Sequence, residues 1–172
     1  MKTVVIFGGS GFVGYHIVRR IAKKGYKIII PYQRSTNEPK LRLFGNVGQI
    51  IPLKFINVQD ENIVKLIHSA DVVINLKTLW QEKTLTFQKG IYVFNADLLN
   101  LINKADKNKL YIFFSGLSID KNSSSKRIKA IADTEEYIKN NSVNSCIIRP
   151  GVILGGGDQF LQRLIPIFKM SF

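Results

Sequence analysis

Acidic residues are scarce in this sequence. Twelve Asp and Glu stand against 25 Lys and Arg among 172 residues, a net charge of +13. Cysteine is scarcer still. The single Cys146 excludes a disulfide within the chain, which fits a reducing cytoplasm. It lies in the apolar run SCII and reads as a small core residue. The two histidines, His16 and His68, fall on separate helical patterns without metal-ligand company, so they read as structural or solvated and no metal site is expected. No apolar run approaches the roughly 20 residues needed to cross a membrane. The first residues enter a strand-like run directly, with neither the apolar segment of a signal peptide nor the Arg-rich pattern of a transit peptide. Internal repeats and low-complexity segments are absent.

Hydrophobic residues make up 45% of the chain, enough for a folded core, and the length suits one domain spanning 1–172. The positive charge is uneven. Residues 1–60 hold ten Lys and Arg against only Glu38 and Asp60, and so carry +8 of the +13. Such an excess suits a phosphate-bearing ligand, an acidic membrane surface or nucleic acid. Compositional drift toward Lys, Ile and Asn accounts for it equally well. Nucleic acid is disfavoured, because aromatic-basic clusters and helix-turn-helix signals are missing.

Apolar runs alternate with helical patterns throughout. Strands are predicted at 3–7 (TVVIF), 27–32 (KIIIPY), 49–55 (QIIPLKF), 71–76 (DVVINL), 109–115 (KLYIFFS) and 145–150 (SCIIRP). Helices are predicted from Phe12 to Lys24, from Asp60 (as cap) to Ala70, up to Ala105, from Lys126 to Lys139, and from Asp158 onward. The stretch QRSTNEPK reads as a polar connection. Continuous apolar strands separated by helices require a parallel sheet covered on both faces. The predicted class is α/β, a doubly wound parallel sheet of about six strands.

Between the first strand and the first helix stands FGGSGFVG, with Gly8, Gly11 and Gly14 spaced three apart. Gly8 permits a tight turn, Gly11 lets a diphosphate approach the backbone, and Gly14 lets helix and strand pack closely. The helix N-terminus then offers amides and a positive dipole to the anion. This is a dinucleotide-binding pattern in its expected strand–helix context. The second strand ends in PYQRSTNE, without the acidic residue that holds a ribose 2′-hydroxyl. Arg34 stands near that place and suits a 2′-phosphate, which favours NADPH, with NADH as the alternative. Arg34 reads equally as one more solvated cation of a basic chain.

Together with these glycines, Asn57 to Asp60 (NVQD), Asn75 in INL, Ser115 and the RPGVILG segment resemble the extended and atypical short-chain dehydrogenase/reductases. Within them, IIIPYQR, RLFGNVGQIIPL, ADVVINL and GGDQFLQR are similar to the nucleotide-binding accessory subunits of respiratory complex I and their bacterial relatives. The resemblance runs over essentially the whole chain. It implies a Rossmann fold with bound NADPH. It places Gly8, Ser10, Gly11, Phe12 and Val13 at the diphosphate, Arg34 at the 2′-phosphate, and Asn57 with Val58 at the adenine. Gly14, Asn75, Leu76 and Pro150 complete the implied cofactor set. It also implies a partner, respiratory complex I or another membrane-associated assembly, and a cytoplasmic position, peripheral at the inner face of a membrane.

What the resemblance does not bring is the chemistry. Such reductases use a Tyr as proton donor, with a Lys four residues later that lowers its pKa. Four residues after Tyr15, Tyr26, Tyr32, Tyr92, Tyr111 and Tyr137 come Arg19, Ile30, Thr36, Ala96, Ser115 and Asn141. Counting back from Arg149 and Pro150 without gaps puts Arg127 in the tyrosine's place and Ile131 in the lysine's. Sliding by two residues keeps Lys129 but puts Ser125 in the tyrosine's place. Ser115 and Lys129 are the remaining candidates for catalysis, and a serine alone is a poor general acid. Trp80, after the fourth strand, either borders the cofactor or simply packs. Relatives of this type continue into a C-terminal substrate domain, which this chain is expected to lack. Its last amphipathic segment then either docks on a partner or packs on its own sheet. The reading is a nucleotide-binding protein with a structural, assembly or sensing role. The alternative is a working NAD(P)H-dependent reductase or epimerase, for instance in quinone metabolism.

Overall fold

The computed structural model describes residues 1–33, 38–105 and 108–170. Six strands, β1 (Thr3–Phe7), β2 (Lys27–Tyr32), β3 (Ile50–Lys54), β4 (Val72–Asn75), β5 (Leu110–Phe114) and β6 (Ser145–Ile148), form one sheet in the order β3-β2-β1-β4-β5-β6. Every pairing is parallel. This is the Rossmann order, and the direction of winding reverses between β1 and β4. The crevice beyond the carboxyl ends of those two strands is where such sheets bind ligands.

Successive residues of a strand face opposite sides of the sheet, and β1 shows the consequence. Val4 and Ile6 pack on one side with Val18 and Ala22 of α1 (Phe12–Ala22) and Leu41 of α2 (Glu38–Arg42). Val5 and Phe7 pack on the other, against α3 (Glu61–Ser69), α4 (Phe94–Asn103) and α5 (Lys126–Asn141). Phe7 is fully buried, with the rings of Phe55 and Phe94 edge-on at 5.7 and 5.6 Å. That packing pins the carboxyl end of β1 just before the glycines. Truncating it to alanine would cost about 3–5 kcal/mol.

The strands lie within a residue or two of their predicted bounds. The helices hold more surprises. The unpredicted α2 begins in the last three residues of the stretch read as a polar connection and runs past it, and its Leu41 is buried. The helix predicted to end near Ala105 is preceded by a π-helical segment, Gln88–Val93, which runs into α4. Asp60 does sit at the N-cap of α3, but its carboxylate turns back to accept from the amides of Ile56 (2.6 Å) and Asn57 (3.4 Å).

Cys146 is not a core residue. It is exposed, because β6 is the edge strand and α1 and α2 cover the other end of that face. The last helix, α6 (Gln159–Met170), leaves Phe160, Ile165, Ile167 and Phe168 exposed rather than burying them on the sheet. No helix among the described residues is long and apolar enough to cross a membrane.

Candidate functional site

The glycine loop is shaped by what its side chains would strike. Gly8 has φ +77°, a left-handed conformation, and a Cβ there would meet the Lys77 amide nitrogen at 2.9 Å. A Cβ at Gly14 would meet the Gly8 carbonyl oxygen at 2.4 Å and Gly9 Cα at 2.6 Å, all backbone. Gly14 therefore allows α1 to lie against the strand end. Gly11 is different. A Cβ there meets one atom within 4 Å, the Gly8 oxygen at 3.3 Å, and otherwise points into open space. That one contact is tighter than an ordinary van der Waals approach, but the chain's own packing resists a side chain there far less than at Gly14.

Gly11 is also the N-cap of α1. It caps with no side chain, and no acidic residue stands in the first turn. The amides at Phe12, Val13 and Gly14 begin the helix and have no intrahelical acceptor. Ser10 sits in the loop just before the cap. Phe12 leans its ring toward Gly155 and Gly157 of the segment after β6, and His16 bonds the Gly156 carbonyl at 3.2 Å. The loop that follows β6 is thus held beside the start of α1. A diphosphate fits this cradle: a glycine cap with a single close neighbour, first-turn amides without a capping side chain, and no acidic residue in the first turn.

Toward β2 and β3, Gln33 donates to the Ile56 carbonyl at 2.7 Å. Asn57 is exposed and its side chain accepts from the Gln59 amide at 2.8 Å. The Val58 side chain is buried in the core, so its backbone alone faces outward chemistry. Arg34 lies outside the described residues.

Beneath the crevice is a buried polar network that the sequence did not announce. Asn75, fully buried, donates to Asn95 Oδ1 at 2.7 Å and accepts from the Lys77 amide at 2.9 Å. Tyr111 donates to the same Asn95 oxygen at 2.5 Å, and Asn95 donates to the Ile91 carbonyl in the π-helical segment at 2.7 Å. Burial pushes the Tyr111 hydroxyl well above its usual range, partly offset by Asn75, so it stays a neutral donor. The network fixes how the chain leaves β4 through Leu76, whose amide bonds the Phe7 carbonyl at 2.9 Å.

Lys77 follows. Its ammonium lies 2.9 Å from Gln33 Oε1 and 4.1 Å from the centre of the Phe94 ring. Desolvation lowers its pKa to about 8.

The other end of the crevice, beyond β5, is tied shut by its own polar groups. The Ser115 hydroxyl donates to Glu135 Oε1 at 2.6 Å. Arg149 Nε donates to the same oxygen at 2.8 Å, and its Nη2 pairs with Glu135 Oε2. Burial alone would raise the Glu135 carboxyl. The bonds from Arg149 and Ser115 outweigh it and hold the carboxyl below the usual range. Ser115 thus spends its proton on a permanent carboxylate.

Arg127 lies on the inner side of α5. Its Nε donates to the Leu79 carbonyl at 2.9 Å, its Nη2 to Thr78 at 3.2 Å, and its guanidinium stacks 4.2 Å from the Trp80 ring. Lys129, two residues on, is exposed, while Ile131 is in the core. Pro150, half-buried, accepts from the Leu117 amide at 3.2 Å. His68 is exposed. No group of three metal-ligating side chains occurs among the described residues.

Of the expected residues, the glycine loop, Ser10, Phe12, Val13, Asn75 and Leu76 gather around the ends of β1 and β4. Asn57 and Val58 follow β3, and Ser115 and Pro150 follow β5 and β6. Lys77 and Asn95 were missed. A lysine directly after the INL of β4 was the available signal for the first. Nothing local marked the second.

Known proteins share this build. The chain is 31% identical over 160 residues to the Arabidopsis thaliana protein called NADH dehydrogenase (ubiquinone) 1 alpha subcomplex subunit 9, mitochondrial. That match covers 91% of this chain but 40% of the plant protein, so the chain spans well under half of that relative's length. Among solved structures, the Bordetella bronchiseptica enzyme WbmH in complex with NAD+ superposes with a TM-score of 0.74 at 16% identity, covering 96% of this chain and 63% of that one. Gre2 of Candida albicans, in complex with NADPH, gives 0.70 at 16% identity, over 90% and 59%. At such identities these two speak for the fold alone. The family profile is more direct. Residues 4–127, which carry the glycine loop, the ends of β2 to β5 and Arg127, match it, and the chain belongs to the NAD dependent epimerase/dehydratase family.

Proposed function

We propose that this chain holds a nicotinamide dinucleotide across the β1/β4 crevice, and that it does so in a structural, assembly or sensing role without Tyr–Lys catalysis. Gly11 carries the reading. It is a glycine at the cap of a helix with no capping side chain and no acidic residue in its first turn, and a Cβ there would meet a single neighbour, the Gly8 oxygen at 3.3 Å, with room beyond it for a ligand. Gly8, Ser10, Gly11, Phe12, Val13 and Gly14 would hold the diphosphate on outward amides and the helix dipole. Asn57 and the Val58 backbone would border the adenine. Asn75 acts through the shape it gives Leu76, and Pro150 flanks the far end. The bound group would supply a hydride-carrying nicotinamide. The residues present bind and orient it.

The Ser115 end supports a holding role. Its hydroxyl is bonded to a carboxylate, and Arg127 stands in the ungapped tyrosine register, where it stacks on Trp80. A guanidinium is no proton donor at neutral pH. NADPH is the favoured cofactor and NADH the alternative. The likeness to a subunit of NADH dehydrogenase suggests a respiratory complex I or another membrane-associated assembly as partner, with the chain cytoplasmic and peripheral at the membrane's inner face.

The test is direct. Purify the chain, identify any retained nucleotide by mass spectrometry, and follow the 340 nm absorbance of added NADPH with carbonyl and quinone substrates. Retained nucleotide without oxidation is expected. Turnover would establish the working reductase instead, and an empty site that takes up neither dinucleotide would refute the binding itself.

A further inference from the structure

Lys77 is placed by elements it does not belong to. Its amide is anchored by Asn75, which is locked to Asn95 and through it to Tyr111. Its side chain then leaves β4 and reaches across the end of β1 to Gln33, which follows β2. In a dinucleotide-binding sheet the end of β2 is where the adenosine ribose presents its 2′ position. An acidic residue there bonds a 2′-hydroxyl and repels a 2′-phosphate. Here that place is taken by an amide. Gln33 turns its NH2 group onto the Ile56 carbonyl, which leaves its oxygen facing Lys77.

The ammonium itself is poorly compensated. Its described contacts are one amide oxygen, the Phe94 ring at 4.1 Å and the more distant Phe55 ring at 5.8 Å. Two ring faces and a neutral oxygen are weak substitutes for the water that burial has removed. No carboxylate is among these contacts. A half-buried cation held without a counter-anion among the described residues, at the mouth of a nucleotide crevice, suits an anion supplied by the ligand.

Resting on the cofactor reading above, we propose that Lys77 binds the 2′-phosphate of the adenosine ribose, and that with Gln33 it makes the crevice select NADPH over NADH. The chain would then read the 2′ position from the β4 side, across the sheet edge, in addition to whatever the segment after Gln33 contributes.

The experiment is a pair of titrations on the full chain, with NADPH and with NADH, for the parent and for Lys77→Met and Lys77→Arg. Adenosine 2′,5′-bisphosphate and 5′-AMP serve as competitors, because they differ in the 2′-phosphate alone. A charge-assisted bond to phosphate is worth about tenfold or more in affinity. The methionine variant should lose that factor for NADPH and the bisphosphate while NADH and 5′-AMP move less than twofold. The arginine variant should keep most of the preference. Equal losses for both dinucleotides would make Lys77 merely structural and overturn the assignment. So would an unchanged NADPH affinity, or a parent that does not prefer NADPH. A parent that binds neither dinucleotide would instead defeat the cofactor reading on which the assignment stands. Should the methionine variant fold poorly, Gln33→Glu gives an independent answer. A carboxylate beside Lys77 should reverse the preference toward NADH, and a preference left in place would count against the proposal.

Discussion

Gly11 follows β1, and Ser115 follows β5, two strands along the same carboxyl edge. At the first, the chain withholds a side chain and leaves the first helical amides without a capping side chain. At the second, it supplies a hydroxyl, a carboxylate and a guanidinium and satisfies them on one another. An unsatisfied group facing a crevice is an invitation to a ligand. A satisfied one is a structural joint. The fold alone would suggest chemistry at both ends. On the proposed reading, binding belongs to the first end and packing to the second.

The sharpest way to break that contrast is within the glycine loop. Gly11→Asp places a carboxylate where the diphosphate would lie. Like charges brought together cost several kcal/mol, so affinity for either dinucleotide should fall at least ~100-fold while the melting temperature stays near the parent's. Gly14→Ala should do the opposite in order of cause. Its Cβ meets backbone at 2.4 and 2.6 Å, contacts that no side-chain motion relieves. The fold should lose ~3 kcal/mol or more, read by chemical denaturation, and binding should fail only because the loop is displaced. If the two variants behaved alike, the distinction between a ligand glycine and a packing glycine would collapse.

A smaller effect comes from pH. The Lys77 ammonium, lowered to about 8 by desolvation, is protonated below that value and neutral above it. Its described contacts, with Gln33, Asn75, Phe55 and Phe94, do not titrate. A 2′-phosphate stabilises the protonated form, so NADPH binding takes up a proton as pH rises through about 8. Affinity for NADPH should therefore fall above pH 8, by up to about tenfold per pH unit, while NADH affinity stays level. Isothermal titration between pH 7 and 9 reads the two curves. Parallel curves would remove Lys77 from the binding end.

The frame of this contrast was legible in the sequence, and its detail was not. Strands such as TVVIF and KIIIPY announce themselves by unbroken β-branched runs, and FGGSGFVG by spacing between a strand and a helix. α2 was hidden because five residues with one buried leucine carry too little periodicity to register. Cys146 misled because apolar neighbours signal a strand but not whether both its faces are covered. The roles of Lys77 and Ser115 were out of reach for a shared reason. Each is decided by a partner far along the chain, Gln33 in one case and Glu135 in the other, brought near only by the parallel crossovers.

At the Ser115 end the expected effects are smaller and fall on stability. Ser115→Ala removes one donor from Glu135 and should cost about 1 kcal/mol, with dinucleotide affinity within twofold of the parent. A large loss of affinity would return Ser115 to the functional site. Glu135 itself should be visible in acid. Its carboxyl is held below its unfolded value by Arg149 and Ser115. The unfolded chain therefore binds that proton more readily, and the ion pair contributes stability that is present above the unfolded pKa and is lost as pH falls through the lower folded one. Melting temperature should accordingly drop between about pH 5 and the lowered folded value, and Glu135→Gln should flatten that part of the curve while lowering stability at neutral pH. A steep acid limb surviving in the glutamine variant would show that other carboxylates hold the fold there, and that the Ser115–Glu135–Arg149 joint is less of a keystone than its bonds suggest.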